Sequence, residues 1–402
     1  MMRSEISPVN KKYRKMYQRT LNKDGPLATN TGQTMEKVKE TLIAKLKATN
    51  IEELNNIKVV LMPDFFLDHF ALVKDIDFLS DIRNVYEEGG GNLLEVPQVL
   101  TLGGCAARTS LALARLGVKT SFIGRTSKLG YTLLNFFIQD ANADVDITMV
   151  RNDGVLGKTL TFEFEEGGVN VMINEIGSNR DFGFSDLNED DLKLIARSDL
   201  VCVLDWSLNI NKGTELAEEV FKYAKGKGVT TYFDPADLAP RVDELKTLFD
   251  KILFNNNLDV LSINEKELRI LSGMNFDYNE NEKVLLAASR LKAKVKPEIN
   301  IHTSGFVATV GAEDIVVVPT FKVEPCKFTG AGDVWNAGNI LGLLLKFTNE
   351  ERLLLGNAMA GYYISHPDTL PPTIMALLPF IRETDLKGKK NIQKGFEYIK
   401  DK

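Results

Sequence analysis

The chain reads as an α/β protein built on a parallel sheet, and three observations say so. Short apolar runs with strand character alternate with segments of helical period. Several of these strands end on a polar residue. Near the carboxyl end a glycine turn, Gly330-Ala331-Gly332-Asp333, leads into a helical pattern that is apolar from Ile340 to Phe347. An open sheet of this class offers its binding crevice at the carboxyl ends of its strands.

The totals narrow the class of protein. A length of 402 residues accommodates one large α/β domain and an accessory piece, and 44% apolar with 26% charged residues is ordinary for a soluble chain. A net charge of −6 speaks against nucleic acid as the main partner. Cys105, Cys202 and Cys326 are far apart and give no disulfide framework. His69, His302 and His366 lack the spacing of a zinc site. No apolar run approaches membrane-spanning length, and charges stand where a signal peptide needs an apolar core. A cytoplasmic protein with no membrane partner is expected.

Residues 1–56 stand apart as an N-terminal helical extension, with 11 Lys/Arg against 6 Asp/Glu. Met35, Val38, Leu42 and Leu46 recur at helical spacing, which predicts an amphipathic helix laid on the body. The body, residues 57–402, opens on the strand pattern Ile57–Met62, stopped by Pro63-Asp64. After the glycine cluster Gly89–Gly91, Gly103-Gly104 precedes a helix running to Leu116 and closed by Gly117. Val118–Ile123 is a strand. A hairpin comes next, Thr159–Phe164 and Val169–Ile173, turning at Glu166-Gly167-Gly168. From Asp199 the rhythm is strand, helix, strand. Leu200–Leu204 is succeeded by a helix face of Leu216, Val220, Phe221 and Ala224, closed by Gly228. Strands then end at Asp234, Asn264 and His302-Thr303. Asp64, Asp234, Asn264 and Thr303 are the polar residues expected at the crevice.

Two readings stand for the glycine turn. One is a capping aspartate after a tight turn. In the other, uncovered N–H groups at a helix start cradle a phosphate while Asp333 takes a proton.

The whole constellation resembles the ribokinase-like (PfkB) family of sugar and nucleoside kinases. Gly103-Gly104 with Ala114-Arg115-Leu116-Gly117 matches its N-terminal signature. Asn264-Glu265-Lys266-Glu267 resembles its N-x-x-E motif, and Leu271-Ser272-Gly273 the L-x-G just after that motif. Gly330-Ala331-Gly332-Asp333 with Asn336-Ala337-Gly338 resembles the C-terminal signature. The resemblance covers about 57–381 and implies a three-layer parallel-sheet core, helices on both faces, with a small β lid in two pieces near 65–102 and 157–176. It implies phosphoryl transfer from a nucleotide to a sugar hydroxyl, and a homodimer through the lid.

By that resemblance Asp333 is the base, and the N–H groups of Gly330, Ala331 and Gly332 hold the charge on the transferred group. Asn264 and Glu267 order Mg²⁺ through water, a role compatible with an N-cap and its capping box. Thr303, Gly305 and Asn357 fall on the nucleotide side, with Ala308 where the family has a glycine. Asp68 is the carboxylate for sugar hydroxyls, and Gly103 and Gly104 let backbone approach the sugar. ATP is favoured as donor, with ADP as the alternative. A non-catalytic sugar-binding regulator on the same scaffold is the rival reading.

Three departures carry expectations of their own. Phe66 and Arg108 replace asparagines that contact the sugar. Arg108, Arg125 and Arg180 are expected to converge on an anionic acceptor such as a sugar phosphate. Lys327, six residues before Asp333, replaces the aspartate of members activated by monovalent cations, so its ammonium is expected to substitute for the ion.

Overall fold

The computed structural model describes residues 34–166, 169–277, 280–368 and 370–387. The hairpin glycines Gly167 and Gly168 and the extension before Thr34 lie outside them. In the first half the strands are β1 (Lys58–Met62), β2 (Phe66–Val73), β3 (Gln98–Gly103), β4 (Lys119–Phe122), β5 (Gly124–Arg125), β6 (Val145–Asp146), β7 (Val150–Arg151), β8 (Gly157–Phe164) and β9 (Val169–Glu175). The second half supplies β10 (Leu200–Leu204), β11 (Thr230–Asp234), β12 (Val260–Asn264), β13 (Glu298–His302), β14 (Phe306–Val310) and β15 (Ile315–Pro319).

The main sheet has nine strands in the order β15-β14-β13-β12-β11-β10-β1-β4-β6. It is parallel from β13 to β6 and antiparallel at the β13–β14–β15 edge. Alternation along β1 shows how it is covered: Val59 and Leu61 join one core, Val60 and Met62 the other. On the first face lie the helices Met35–Ala48, Cys105–Arg115, Ala331–Leu344 and Asn349–Ser365. On the second lie Gly213–Lys225, Glu265–Ser272 and Asn281–Lys292. Two cores around one sheet make the three-layer α/β fold. The face Leu216, Val220, Phe221 and Ala224 is wholly buried, as its spacing requires.

Chain order reverses between β1 and β10: later strands leave β1 in one direction through β4, and β10 in the other through β11. Such a switch point opens a crevice above the strand ends. Over it stands a second sheet, β3-β2-β8-β9, made from the two separated segments 66–103 and 157–175. The helix Met35–Ala48 packs against Asn349–Ser365 and Ile374–Glu383, burying Val38, Leu42 and Leu46. Lys45 Nζ, 2.6 Å from Glu351, fixes its register.

Candidate active site

The helix Ala331–Leu344 starts at Gly330, whose φ of +87° only glycine adopts readily. Asp333 sits in its first turn, buried. The helix is anchored by a buried polar chain. Asn336 donates to Asp234 at 2.8 Å and accepts from Tyr232 and Ser262 at 2.8 and 2.7 Å, while Asn339 donates to Tyr232 at 3.1 Å. Buried side chains linked in this way hold the helix start in one position over β11 and β12.

Five buried aspartates gather at this end: Asp64 after β1, Asp68 in β2, Asp205 after β10, Asp234 ending β11, and Asp333. Asp64 accepts from the backbone N–H groups of Cys105 and Ala106 at 2.5 and 2.9 Å, at the start of helix Cys105–Arg115. Burial, and secondarily Asp205, hold its carboxyl well above the usual range. Burial raises Asp205 to about 7 and Asp234 to about 6. One oxygen each of Asp64 and Asp205 and the Cys105 sulfur lie within 4.8 Å of one another.

Arg108 enters this acidic group from the helix Cys105–Arg115. Its Nη1 donates to Asp333 at 2.8 Å, and its Nη2 to Asp68 at 2.7 Å and to the Leu102 carbonyl at 3.1 Å. The glycines before that helix make room for carboxylates: a Cβ at Gly103 would stand 2.1 Å from the Asp68 Oδ1, and one at Gly104 2.7 Å from the Asp64 carbonyl.

The expected meeting of three arginines does not occur. Arg125 is held by Asp153 and Asp186 in a separate small cavity. Arg180 lies exposed on the turn Gly177–Asp181. Arg108 alone turns inward, because the acids facing its helix are themselves buried.

Two cavities flank the glycine turn. One, about 880 Å³, lies under the second sheet and is lined by Thr101, Arg108, Glu163, Lys327, Phe328 and Tyr363 among others. The other, about 490 Å³, is lined by Asn264, His302, Thr303, Ala331, Gly332, Trp335 and Asn357 among others. Pro325 and Phe328 belong to both. Gly305 stays in the turn behind the second cavity, its N–H on the Thr303 hydroxyl at 3.1 Å. Asn357 is buried and donates to the Pro319 carbonyl at 3.0 Å. Asn264 and Glu267 form a complete capping box: Asn264 accepts from the N–H groups of Lys266 and Glu267, and Glu267 accepts from the Asn264 backbone and side chain at 2.8 and 2.6 Å.

Sequence reasoning passed over Asp205, whose φ of +52° marks a bend after β10, and His302. The His302 Nε2 is buried without a hydrogen-bond partner, 4.0 Å from Asp234. Burial lowers its pKa to about 4, so the ring is neutral near pH 7. Its place at the end of β13, directly after Ile301, was its one sequence signal.

The profile of the PfkB family of carbohydrate kinases matches residues 76–374, so the chain belongs to that family, whose members are phosphotransferases with an alcohol group as acceptor. A ribokinase of Haemophilus influenzae is 25% identical over 272 residues, 66% of this chain and 82% of its own. Among solved structures, the Arabidopsis thaliana ribokinase complexed with ribose and ATP superposes with a TM-score of 0.63 at 20% identity, covering 82% of this chain and 99% of that one. An E. coli ribokinase II in complex with ATP and Mg²⁺ gives 0.63 at 18%, covering 81% and 99%. At these identities the two structures establish the ribokinase-like fold. Among the described residues, no helix is long and apolar enough to cross a membrane.

Proposed function

We propose that the chain transfers the γ-phosphoryl group of ATP to a hydroxyl of a sugar or sugar derivative, with Asp333 as base. The observation that carries this is the glycine turn standing between two cavities, one for each substrate. The cavity under the second sheet takes the acceptor, whose hydroxyl reaches Asp333 and whose neighbours reach Asp68. The cavity beside Thr303 and Asn357 takes the nucleotide. The N–H groups of Gly330, Ala331 and Gly332, at a helix start, face the transferred group and stabilise its charge, the Ala331 N–H exchanging its long 3.4 Å bond to the Phe328 carbonyl for a phosphate oxygen. The second sheet acts as a lid that keeps water from the phosphoryl group.

Asn264, Glu267 and Asp234 would hold Mg²⁺ through its waters. The residues fit the ion: Glu267 is buried, and its carboxyl is held well above the usual range first by burial and then by the Asp234 charge. A divalent cation relieves both causes. Bound there, it supplies neutralisation of the phosphate oxygens. On the lid, Leu100, Val171 and Ile173 are exposed on one face, which supports pairing with a second copy.

The test is turnover of a sugar panel with ATP and, separately, ADP as donor. Asp333→Asn should lower kcat by about 10²–10⁴-fold while nucleotide still binds. A variant that turns over as fast as the parent removes Asp333 from the chemistry.

A further inference from the structure

We infer that Arg108 restricts the acceptor to sugars that carry an anionic group, a sugar acid or a sugar phosphate, because its guanidinium covers the Asp333 carboxylate until an anion draws it away. The inference rests on the reading of Asp333 as base. One oxygen of Asp333 and one of Asp68 are occupied by the two ends of the same guanidinium, at 2.8 and 2.7 Å. The stem of Arg108 also lies on the glycine turn: a Cβ at Gly330 would stand 2.7 Å from its Cδ and 2.8 Å from its Nε. The arginine thus fills the place that an acceptor hydroxyl needs, between the base and the phosphate-holding turn.

An acceptor must compete with Arg108 for both carboxylates. A neutral sugar offers hydroxyls to Asp68 and Asp333 but no charge to Arg108, which is buried. Displacing it then leaves a buried cation short of one of its two counter-charges. A carboxylate or phosphate on the acceptor replaces that charge with the bidentate geometry a guanidinium favours. Binding of the anion and unmasking of the base become one event, and a neutral analogue gains neither.

The surroundings allow an anion at this depth. Arg108 lines the larger cavity together with Thr101 and the half-buried Lys327, a second cation. Among the acids of that cavity, Asp77, Asp81, Glu95 and Glu165 are exposed, where solvent and salt screen them, and Asp75 is half-buried beside the exposed Lys74. Glu163 lies deeper, where burial raises its carboxyl and the charge of Lys327 opposes that rise.

The experiment compares aldonates and sugar monophosphates of five to seven carbons with the neutral sugars of the same carbon number, using wild-type protein, ATP and Mg²⁺. The best anionic acceptor should exceed its neutral counterpart in kcat/KM by roughly 10–100-fold, and whether a carboxylate or a phosphate wins identifies the group. Arg108→Gln should raise KM for the anionic acceptor and collapse the ratio, Arg108→Lys should restore part of it, and guanidinium added to Arg108→Ala should recover activity on the anionic acceptor only. A wild-type enzyme that uses a neutral sugar as efficiently as any anionic one overturns the inference while leaving the kinase reading intact. Equal losses on both classes in Arg108→Gln also overturn it. Absence of any phosphorylated product across the panel instead sinks the reading on which it rests.

Discussion

Lys327 places its ammonium against the main-chain carbonyl of Asp368 and over the Tyr363 ring, 4.0 Å from the centroid. A carbonyl and a π face are also what a monovalent cation would choose. Burial lowers the ammonium to about pKa 8, with Asp368 opposing the shift. A lysine so depressed is charged at pH 7 and loses its proton as pH rises through 8. Activity at pH 7 should therefore ignore potassium, fall above pH 8, and become potassium-responsive there. The measurement is kcat/KM from pH 6.5 to 9.5 in KCl or tetramethylammonium chloride at equal ionic strength. Severalfold stimulation by potassium at pH 7 would count against the substitution of ammonium for ion. At this scale, residue types and local spacing were legible: Asp333 in its glycine turn, the Asn264–Glu267 pair, and Lys327 itself. The partners of Arg108 were not, because Asp68 and Asp333 lie 40 and 225 positions away and only the fold joins them. Arg125 shows the converse, a side chain captured by Asp153 and Asp186, which the spacing of arginines could not reveal.

The helix Glu265–Ser272 tests how far one residue serves an element and how far a reaction. Asn264 accepts from two N–H groups of its first turn, and Glu267 closes the box. Asn264→Ala should cost about 1 kcal/mol of stability, whereas Asn264→Ser keeps a capping oxygen and should melt close to the parent. If Asn264 also helps to order Mg²⁺, both variants will need more Mg²⁺ for half-maximal rate. A Ser variant with unchanged magnesium dependence would leave Asn264 a cap alone. The box was readable because its donors and acceptors lie within one turn. The helix Phe78–Glu87 was readable too, since Phe78, Leu79, Ile82, Val85 and Tyr86 recur at helical spacing. What periodicity could not show is that this apolar face lacks a core: none of its residues is buried, and Leu79, Ile82 and Tyr86 are exposed. Strand pairing across the small sheet was equally hidden, since β2 meets β8 in parallel across a gap of more than 80 residues.

For the molecule as a whole, the crevice could be anticipated from polar residues ending apolar strands, but the crowding of acids in it could not. That crowding has a consequence for stability. Asp205 is raised to about 7 by burial, and Asp64 is raised as well. Between the ordinary carboxylate range and pH 7 the folded chain holds protons that the unfolded chain has released, so through these groups stability increases as pH falls from about 7 toward the ordinary carboxylate range. His302 acts oppositely. Its pKa is lowered to about 4, so below pH 6.5 the unfolded chain takes up a proton the folded one refuses, and stability is lost. Two raised carboxyls outweigh one depressed imidazole, so the melting temperature of nucleotide-free protein should rise as pH falls from 8 to about 5, less steeply below 6.5 where His302 opposes it, with Lys327 titrating only above that range. Asp205→Asn removes a carboxyl raised to about 7 and should lift the midpoint throughout the range above the ordinary carboxylate value, by an amount that grows up to about pH 7 and stays level beyond it. Melting curves at half-unit intervals decide it: a midpoint that climbs steadily from pH 6 to 8 in the parent would mean that these buried carboxyls are ionised without cost.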